Sequence, residues 1–409
     1  MVAKVKKFVS REFVNTVDLC LFRRFLEEFK DLGGIAWDDL REPEKSKRNR
    51  LFEQFQRSEN LSNLLHLALH HAKILASDAG TRKLVQLADA CGIRLAPLES
   101  ADNSLSDPLD RRSLALLAYI HHRRIFDCAV DQTILWTVSR PTECRGARAG
   151  VLSRHDDMVW KEAFRAAVSD YFNQKYCGRY CDVRWHIDGD EVDIIVSHGK
   201  TARTLNVEEG GKECSKAVRE IAEDTIRYSE RNGWIKIGTG SDRDAKKLIE
   251  LFAEYLIGDK AFFAEYRSET LYTLVPVQEM GSDFRFRYDW HPAITDVRCR
   301  ELTLDDDGLI GRRRRRSPWS LIVRDDVDAL ARAKAIGFKL RQSGLGIRSM
   351  KIDVDIREGS REITLPVCIQ PPGLAIFQDH AHEDLIFELL ERNGLRRAIF
   401  PDPSAVAAQ

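Results

Sequence analysis

No charge of either sign predominates in this chain. Lysine plus arginine and aspartate plus glutamate each number 64 in 409 residues, so the formal net charge is zero. A protein that coats nucleic acid through bulk charge is strongly basic, so that class is excluded, while a local basic face is not. No stretch reaches the length of an apolar bilayer span, so no membrane partner is expected. The first residues, MVAKVKKFVSREFV, are basic but lack the continuous apolar segment and small-residue cleavage site of a secretory signal. Nine scattered cysteines, an odd number in a chain this long, point to reduced thiols and a cytoplasmic location rather than a disulfide framework. Internal repeats are missing, as are Walker, zincin, kinase and nucleophile-elbow motifs.

What is present reads as two kinds of structure. The length predicts two or three domains, and 43% hydrophobic with 31% charged residues is the balance of a globular chain. Up to about residue 175 the pattern is helical. Phe13, Val17, Leu21, Phe22, Phe25, Leu26 and Phe29 recur at three- and four-residue intervals, which predicts one apolar stripe ended by Gly33-Gly34. Segments at 60–75, 81–91 and 111–136 repeat that spacing, with the non-periodic loop LAPLESADNSLSDP before the last. HDDMVWKEAFRAAVSDYF then places Trp160, Phe164, Val168 and Phe172 on one face, with Asp156 or Asp157 as its cap.

Near Cys181 the period falls from 3.6 to 2. In CDVRWHI-DG-DEVDIIV, an Asp188-Gly189 turn sets Trp185 opposite Val192, Val183 opposite Ile194, Arg184 opposite Asp193 and His186 opposite Glu191. TIRYSER-NG-WIKIGT places Ile226 and Tyr228 on one face with Ile235 and Ile237. MKIDVDIRE-GS-REITLPVCI pairs Ile356 with Ile363, Val354 with Leu365, Ile352 with Val367, Met350 with Ile369 and Arg357 with Glu362. Ser241 and Asp244 form a capping box for a helix stopped at Gly258. The expected fold class is therefore α+β: a helical region over 1–175, a hairpin domain over 176–280 and a C-terminal α+β domain over 281–409.

Few residues group as chemistry requires. Cys177, Cys181, His186 and His198 match no common zinc spacing, and the hairpin puts Cys181 and His186 on opposite faces, so no metal or cofactor is expected. Asp193, Glu208 and Lys212, with His198 or Lys200, are the acids and bases that a metal-dependent nuclease would recruit. IGTGSDRD carries Gly238 and Gly240 ahead of a helix, a weak form of an anion-binding turn. The strongest constellation is basic. FRFRYDW alternates Arg285 and Arg287 with aromatics, VRCR adds Arg298 and Arg300, and the run Arg312, Arg313, Arg314, Arg315, Arg316 follows an acidic DDD lead-in. If these segments are adjacent strands, the arginines share one face, and their planar forks suit phosphate. A solvated loop is the competing reading of the run.

The block containing IRYSERNGWIKI, LFAEYLIGDKAFF and YTLVPV resembles segments of a family of bacterial cytoplasmic proteins with no assigned activity. That resemblance covers about the middle third and carries no functional residue across. The resulting expectation is a non-catalytic binding or scaffold protein, with nucleic acid as the leading partner. The alternatives are a metal-dependent nuclease or phosphodiesterase, and a protein-interaction module of a multi-component bacterial system.

Overall fold

The computed structural model describes residues 9–29, 43–57, 62–95, 110–136, 141–209, 211–264, 270–306, 320–337, 345–359, 361–377 and 382–397. The chain separates into two compact units, Met1–Trp136 and Thr137–Gln409. Gly33-Gly34, the 96–109 loop and the run Arg312–Arg316 lie outside the described residues.

The described part of the first unit is helical. The stripe expected to be continuous from Phe13 to Phe29 is two helices, α1 (Arg11–Thr16) and α2 (Leu19–Glu27). Val17 takes an extended conformation between them, and the Asp18 carboxylate restarts the helix by accepting from the Leu21 N–H at 2.7 Å. The stripe survives the break, because Phe13 meets Phe22 edge-on at 5.4 Å and Phe22 stacks on Phe55 at 5.9 Å. Phe55 belongs to α3 (Glu44–Arg57), a helix so rich in charge that its apolar period is faint. Arg48 of α3 donates to the carbonyls of Val14 and Val17, which α1 leaves without helical partners. α4 (Asn63–Leu75) and α5 (Asp78–Ala90) follow. The predicted 111–136 helix is α6 (Arg111–His121) and α7 (Arg123–Trp136), separated by non-helical His122.

The second unit is α+β, as the change of period predicts. Sheet A has the order β1 (Thr142–Arg145), β7 (Trp234–Gly238), β6 (Ile221–Ser229), β3 (Glu191–Gly199), β2 (Cys181–Asp188). Sheet B has the order β12 (Leu374–Ile376), β11 (Arg361–Gln370), β10 (Leu345–Glu358), β8 (Ile294–Asp306), β9 (Ser320–Arg324). Every neighbouring pair in both sheets is antiparallel. β4 (Arg203–Glu209) and β5 (Lys212–Val218) form a separate ribbon.

One face of sheet A buries Val192, Ile194, Val196, Ile226, Tyr228, Ile235 and Ile237 under α8 (Met158–Gln174) and α9 (Asp242–Leu251). α8, expected to close the helical region, thus packs in the core of sheet A. Asp157 caps it, accepting from the Val159 N–H at 2.8 Å. Ser241 caps α9, but Asp244 does not complete the expected box. Its carboxylate instead accepts from Tyr171 at 2.5 Å and from Lys175. Sheet B buries Leu302, Met350, Ile352, Val354, Leu365, Val367 and Ile369 with α10 (Val275–Met280), α11 (Ala329–Ala335) and α12 (Glu383–Arg392). Each such side chain stabilises the fold by about 1.5–3 kcal/mol.

The β10–β11 hairpin has the predicted register at every pair named above. The β2–β3 hairpin does not. Its turn is Gly189-Asp190, so Trp185 faces Ile194, Val183 faces Val196 and Arg184 faces Ile195 rather than Asp193. The slide is two positions, which leaves each side chain on its expected face. In β6–β7 the expected faces hold, with Ser229 opposite Trp234 and four residues in the turn. FRFRYDW is not a strand: it runs outside the ladders between a 3-10 turn at Gly281–Asp283 and β8.

Candidate ligand site

The face of sheet A opposite α8 and α9 carries a row of charge. Glu143, Lys236, Arg227 and Asp193 stand directly opposite one another across β1, β7, β6 and β3, which places them side by side on one face. α12 covers this row. Its apolar side enters the core of sheet B, while Glu383 turns the other way and accepts from both cations, Lys236 at 2.9 Å and Arg227 at 2.9 Å. Arg227 also donates to Glu191 at 3.1 Å and lies 3.7 Å from Asp193. Trp234 and Phe387 meet edge-on beside these pairs at 6.1 Å, and the Arg396 guanidinium lies 3.9 Å from the Phe387 ring centre.

Glu143, Glu191, Asp193 and Glu383 outnumber Lys236 and Arg227, and this imbalance is held out of water. Burial raises the Glu143 carboxyl above its ordinary value, and the charge of Glu383 adds to the rise against Lys236, Tyr272 and Arg396. Burial likewise pushes Glu191 up to about 7 against the pull of Arg227. The Tyr272 hydroxyl donates to Glu143 Oε2 at 2.7 Å, and burial together with the carboxylate raises its own proton affinity. Glu143 Oε1 accepts no hydrogen bond, with the Lys236 ammonium 3.9 Å away.

Glu143 also lines a cavity of ≈ 580 Å3 between the two sheets of this unit. One wall comes from Pro141, Thr142 and Glu143 around β1 and from Asp242 at the start of α9. The opposite wall is the outer face of sheet B, with Glu301 and Thr303 of β8, Arg348, Ser349 and Lys351 of β10, and the Gln370–Leu374 turn. A bulge shapes this wall. Ile347 pairs with Leu304 and Ser349 with Thr303, so Arg348 is the extra residue and joins its neighbour Ser349 at the cavity. Arg348 gives Asp305 one hydrogen bond of 3.3 Å, while Lys351 lies 2.7 Å from Glu301. Glu301 is held below the usual carboxylate range: burial opposes this, but hydrogen bonds from Lys351 and Arg324 outweigh it.

The sequence-predicted residues are dispersed. Arg298 and Arg300 lie on β8, where Arg298 meets Asp296 at 3.2 Å and Asp355 at 2.6 Å, and Arg300 meets Asp326 at 2.7 Å and Asp353 at 3.2 Å. Arg285 and Arg287 are exposed but do not join them in a strand, so the expected four-arginine sheet face is not formed. Asp193 lies in sheet A beside Arg227, whereas Glu208 and Lys212 belong to the β4–β5 ribbon. Arg184 pairs with Glu223 at 2.9 Å. His198 Nδ1 lies 2.8 Å from the Gly199 carbonyl and Nε2 3.1 Å from Asp224, with its ring stacked on Phe172. Neither nitrogen is available to a metal, and among the described residues no group of three or more candidate ligands is placed to hold one.

A second polar cluster escaped the sequence reading. Ser153 Oγ donates to Glu230 Oε1 at 2.8 Å and lies 2.9 Å from His155 Nδ1, which is itself 3.3 Å from the same oxygen. A catalytic triad needs serine and carboxylate on opposite ring nitrogens. Here Ser153 and the buried Glu230 both meet Nδ1, the carboxylate beside Nε2 is the exposed Asp156 at 3.3 Å, and the cluster ties the 151–157 loop to the β6–β7 turn.

Compared with known proteins, the chain matches no protein-family model and no curated protein sequence. Among the described residues no helix is long and apolar enough to cross a membrane.

Proposed function

We propose that the second unit is a non-catalytic binding module that holds a small polar ligand in the cavity between β1 and the outer face of β8 and β10. The observation that carries this reading is the buried Glu143 carboxyl, 2% exposed, lining that cavity with one oxygen lacking a hydrogen-bond donor. Its volume falls in the range of small-molecule sites, about 300–1,000 Å3. Most of the lining is polar, which favours oriented hydrogen bonding over apolar capture. A thermal-shift screen with small polar metabolites tests the reading, with Ser349→Phe filling the cavity as the control. A ligand that stabilises the native chain and not the filled variant supports it. No stabilisation by any compound, or equal stabilisation of both proteins, overturns it.

A second reading, nucleic-acid contact, rests on the arginine run and on the exposed Arg285 and Arg287. Arg298 and Arg300 contribute less to it, since both are engaged by acids of their own sheet and its flanking loop.

A further inference from the structure

Each charged residue lining the cavity is already committed, and this narrows what can fill it. Arg348 donates to Asp305, Lys351 lies 2.7 Å from one oxygen of Glu301, and Arg324 holds the other. Asp242 is engaged as well, and burial draws the Glu143 carboxyl toward its neutral form. Neither wall therefore offers a ligand an uncommitted full charge. What remains is hydrogen-bonding capacity. Guanidinium has five donors and ammonium three, so Arg348 and Lys351 keep N–H groups beyond their ion pairs. Hydroxyl side chains line both walls: Thr142 on β1, and Thr303 and Ser349, which face each other across β8 and β10.

We propose that the ligand is a neutral polyhydroxyl compound of the sugar class, held between Glu143 Oε1 on one wall and Thr303, Arg348 and Ser349 on the other. This inference rests on the binding reading above and adds the chemical class. The selecting feature is the buried Glu143 oxygen that accepts no hydrogen bond. As a carboxylate it needs a donor, and as a neutral carboxyl it offers one. A hydroxyl donates and accepts through a single atom, so it satisfies either form. The opposite wall asks for the same versatility, because it mixes cationic donors with hydroxyls. A charged guest fares worse: an anion meets Glu301 and Asp242, and a cation meets Arg348 and Lys351. Pro141, Pro371, Pro372 and Leu374 supply apolar surface for the carbons of a sugar ring.

The full chain is titrated calorimetrically with neutral mono- and disaccharides, with the corresponding uronic acids, and with the corresponding amino sugars. At least one neutral sugar is expected to bind about tenfold or more tightly than both charged counterparts, since a charge brought into this cavity finds no free partner. Thr303→Val and Ser349→Ala should each weaken that sugar about two- to tenfold, the worth of one neutral hydrogen bond. Glu143→Gln keeps a donor and an acceptor at the buried position and should bind within about threefold of the native chain. Equal or tighter binding of a charged counterpart overturns the neutral class. Loss of the sugar from Glu143→Gln does the same, as does affinity unmoved by both hydroxyl variants. If no sugar binds while another polar compound passes the Ser349→Phe control, the class fails and the binding reading stands. If nothing binds, both fail.

Discussion

Across the β1–β7 pair Glu143 lies directly opposite Lys236, but the ammonium hydrogen-bonds to Glu383 at 2.9 Å and stays 3.9 Å from Glu143. The nearest cation is thus committed to a residue more than a hundred positions further along the chain. That preference helps join α12 to sheet A, beside the Arg227–Glu383 pair, and leaves a buried carboxyl under-served at the edge of a cavity.

The first consequence concerns Lys236 itself. Replacing it with methionine leaves Glu383 with Arg227 alone and takes the nearest cation away from Glu143. Removal of one partner from a buried pair costs about 3–5 kcal/mol, so Lys236→Met should lower the urea midpoint of the second unit sharply. Adding Glu143→Gln to that variant should recover part of the loss, because one stranded charge is then removed. A double mutant no more stable than Lys236→Met alone would show that the two groups are uncoupled.

The second concerns pH. Burial pushes Glu191 from its ordinary 4.5 to about 7 and raises Glu143 in the same direction. The folded chain therefore holds more protons than the unfolded chain between those values. Stability contributed by Glu191 is full below pH 4.5 and falls as pH rises through about 7, by on the order of 2 kcal/mol, and the raised Glu143 acts in the same direction. Asp244 titrates the opposite way, because hydrogen bonds from Lys175 and Tyr171 overcome its burial, and it acts below this window. Thermal midpoints measured from pH 5 to pH 8 should decline for the native chain. Glu191→Gln and Glu143→Gln should each flatten the decline, and an unchanged slope in both would contradict the assignment.

How far such features can be read from sequence depends on how many constraints meet at one residue. The β10–β11 register was legible because two alternating faces and a Gly359-Ser360 turn agree on one pairing. In β2–β3 alternation settles the face, but Gly189 has φ +59 in the observed Gly189-Asp190 turn and could equally have followed Asp188 in the predicted one. The site was hidden for a different reason. TECR is a four-residue edge strand without an apolar rhythm, and the partners of Glu143 lie on β7 and at Tyr272. Arg348 reaches the cavity through a bulge, which no period-2 pattern announces.

Two turn glycines separate backbone conformation from packing. Gly233 has φ +65 and an added Cβ would strike the Arg148 carbonyl, whereas Gly359 has φ +60 and open space around it. Gly359→Ala should cost about 1–2 kcal/mol for the left-handed backbone alone. Gly233→Ala should cost distinctly more, since the 148–149 backbone must move as well. Equal denaturation midpoints for the two variants would show that the 148–149 segment yields freely.

The nucleic-acid reading assigns different roles to the β8 arginines and to the run at 312–316. Arg298 and Arg300 face Asp355, Asp353 and Asp326, so a double alanine variant there should leave nucleic-acid affinity nearly unchanged. Replacing Arg312–Arg316 by alanine removes five charges preceded by only three acids, Asp305, Asp306 and Asp307. If the run grips duplex DNA, the slope of log affinity against log salt should become shallower by about 0.9 for each phosphate that is no longer neutralised. The comparison needs only the native chain and these two variants, titrated with one duplex across a salt series. A slope that changes in the β8 variant and not in the run variant would reverse the roles assigned to the two groups, and no binding by the native chain would end the nucleic-acid reading.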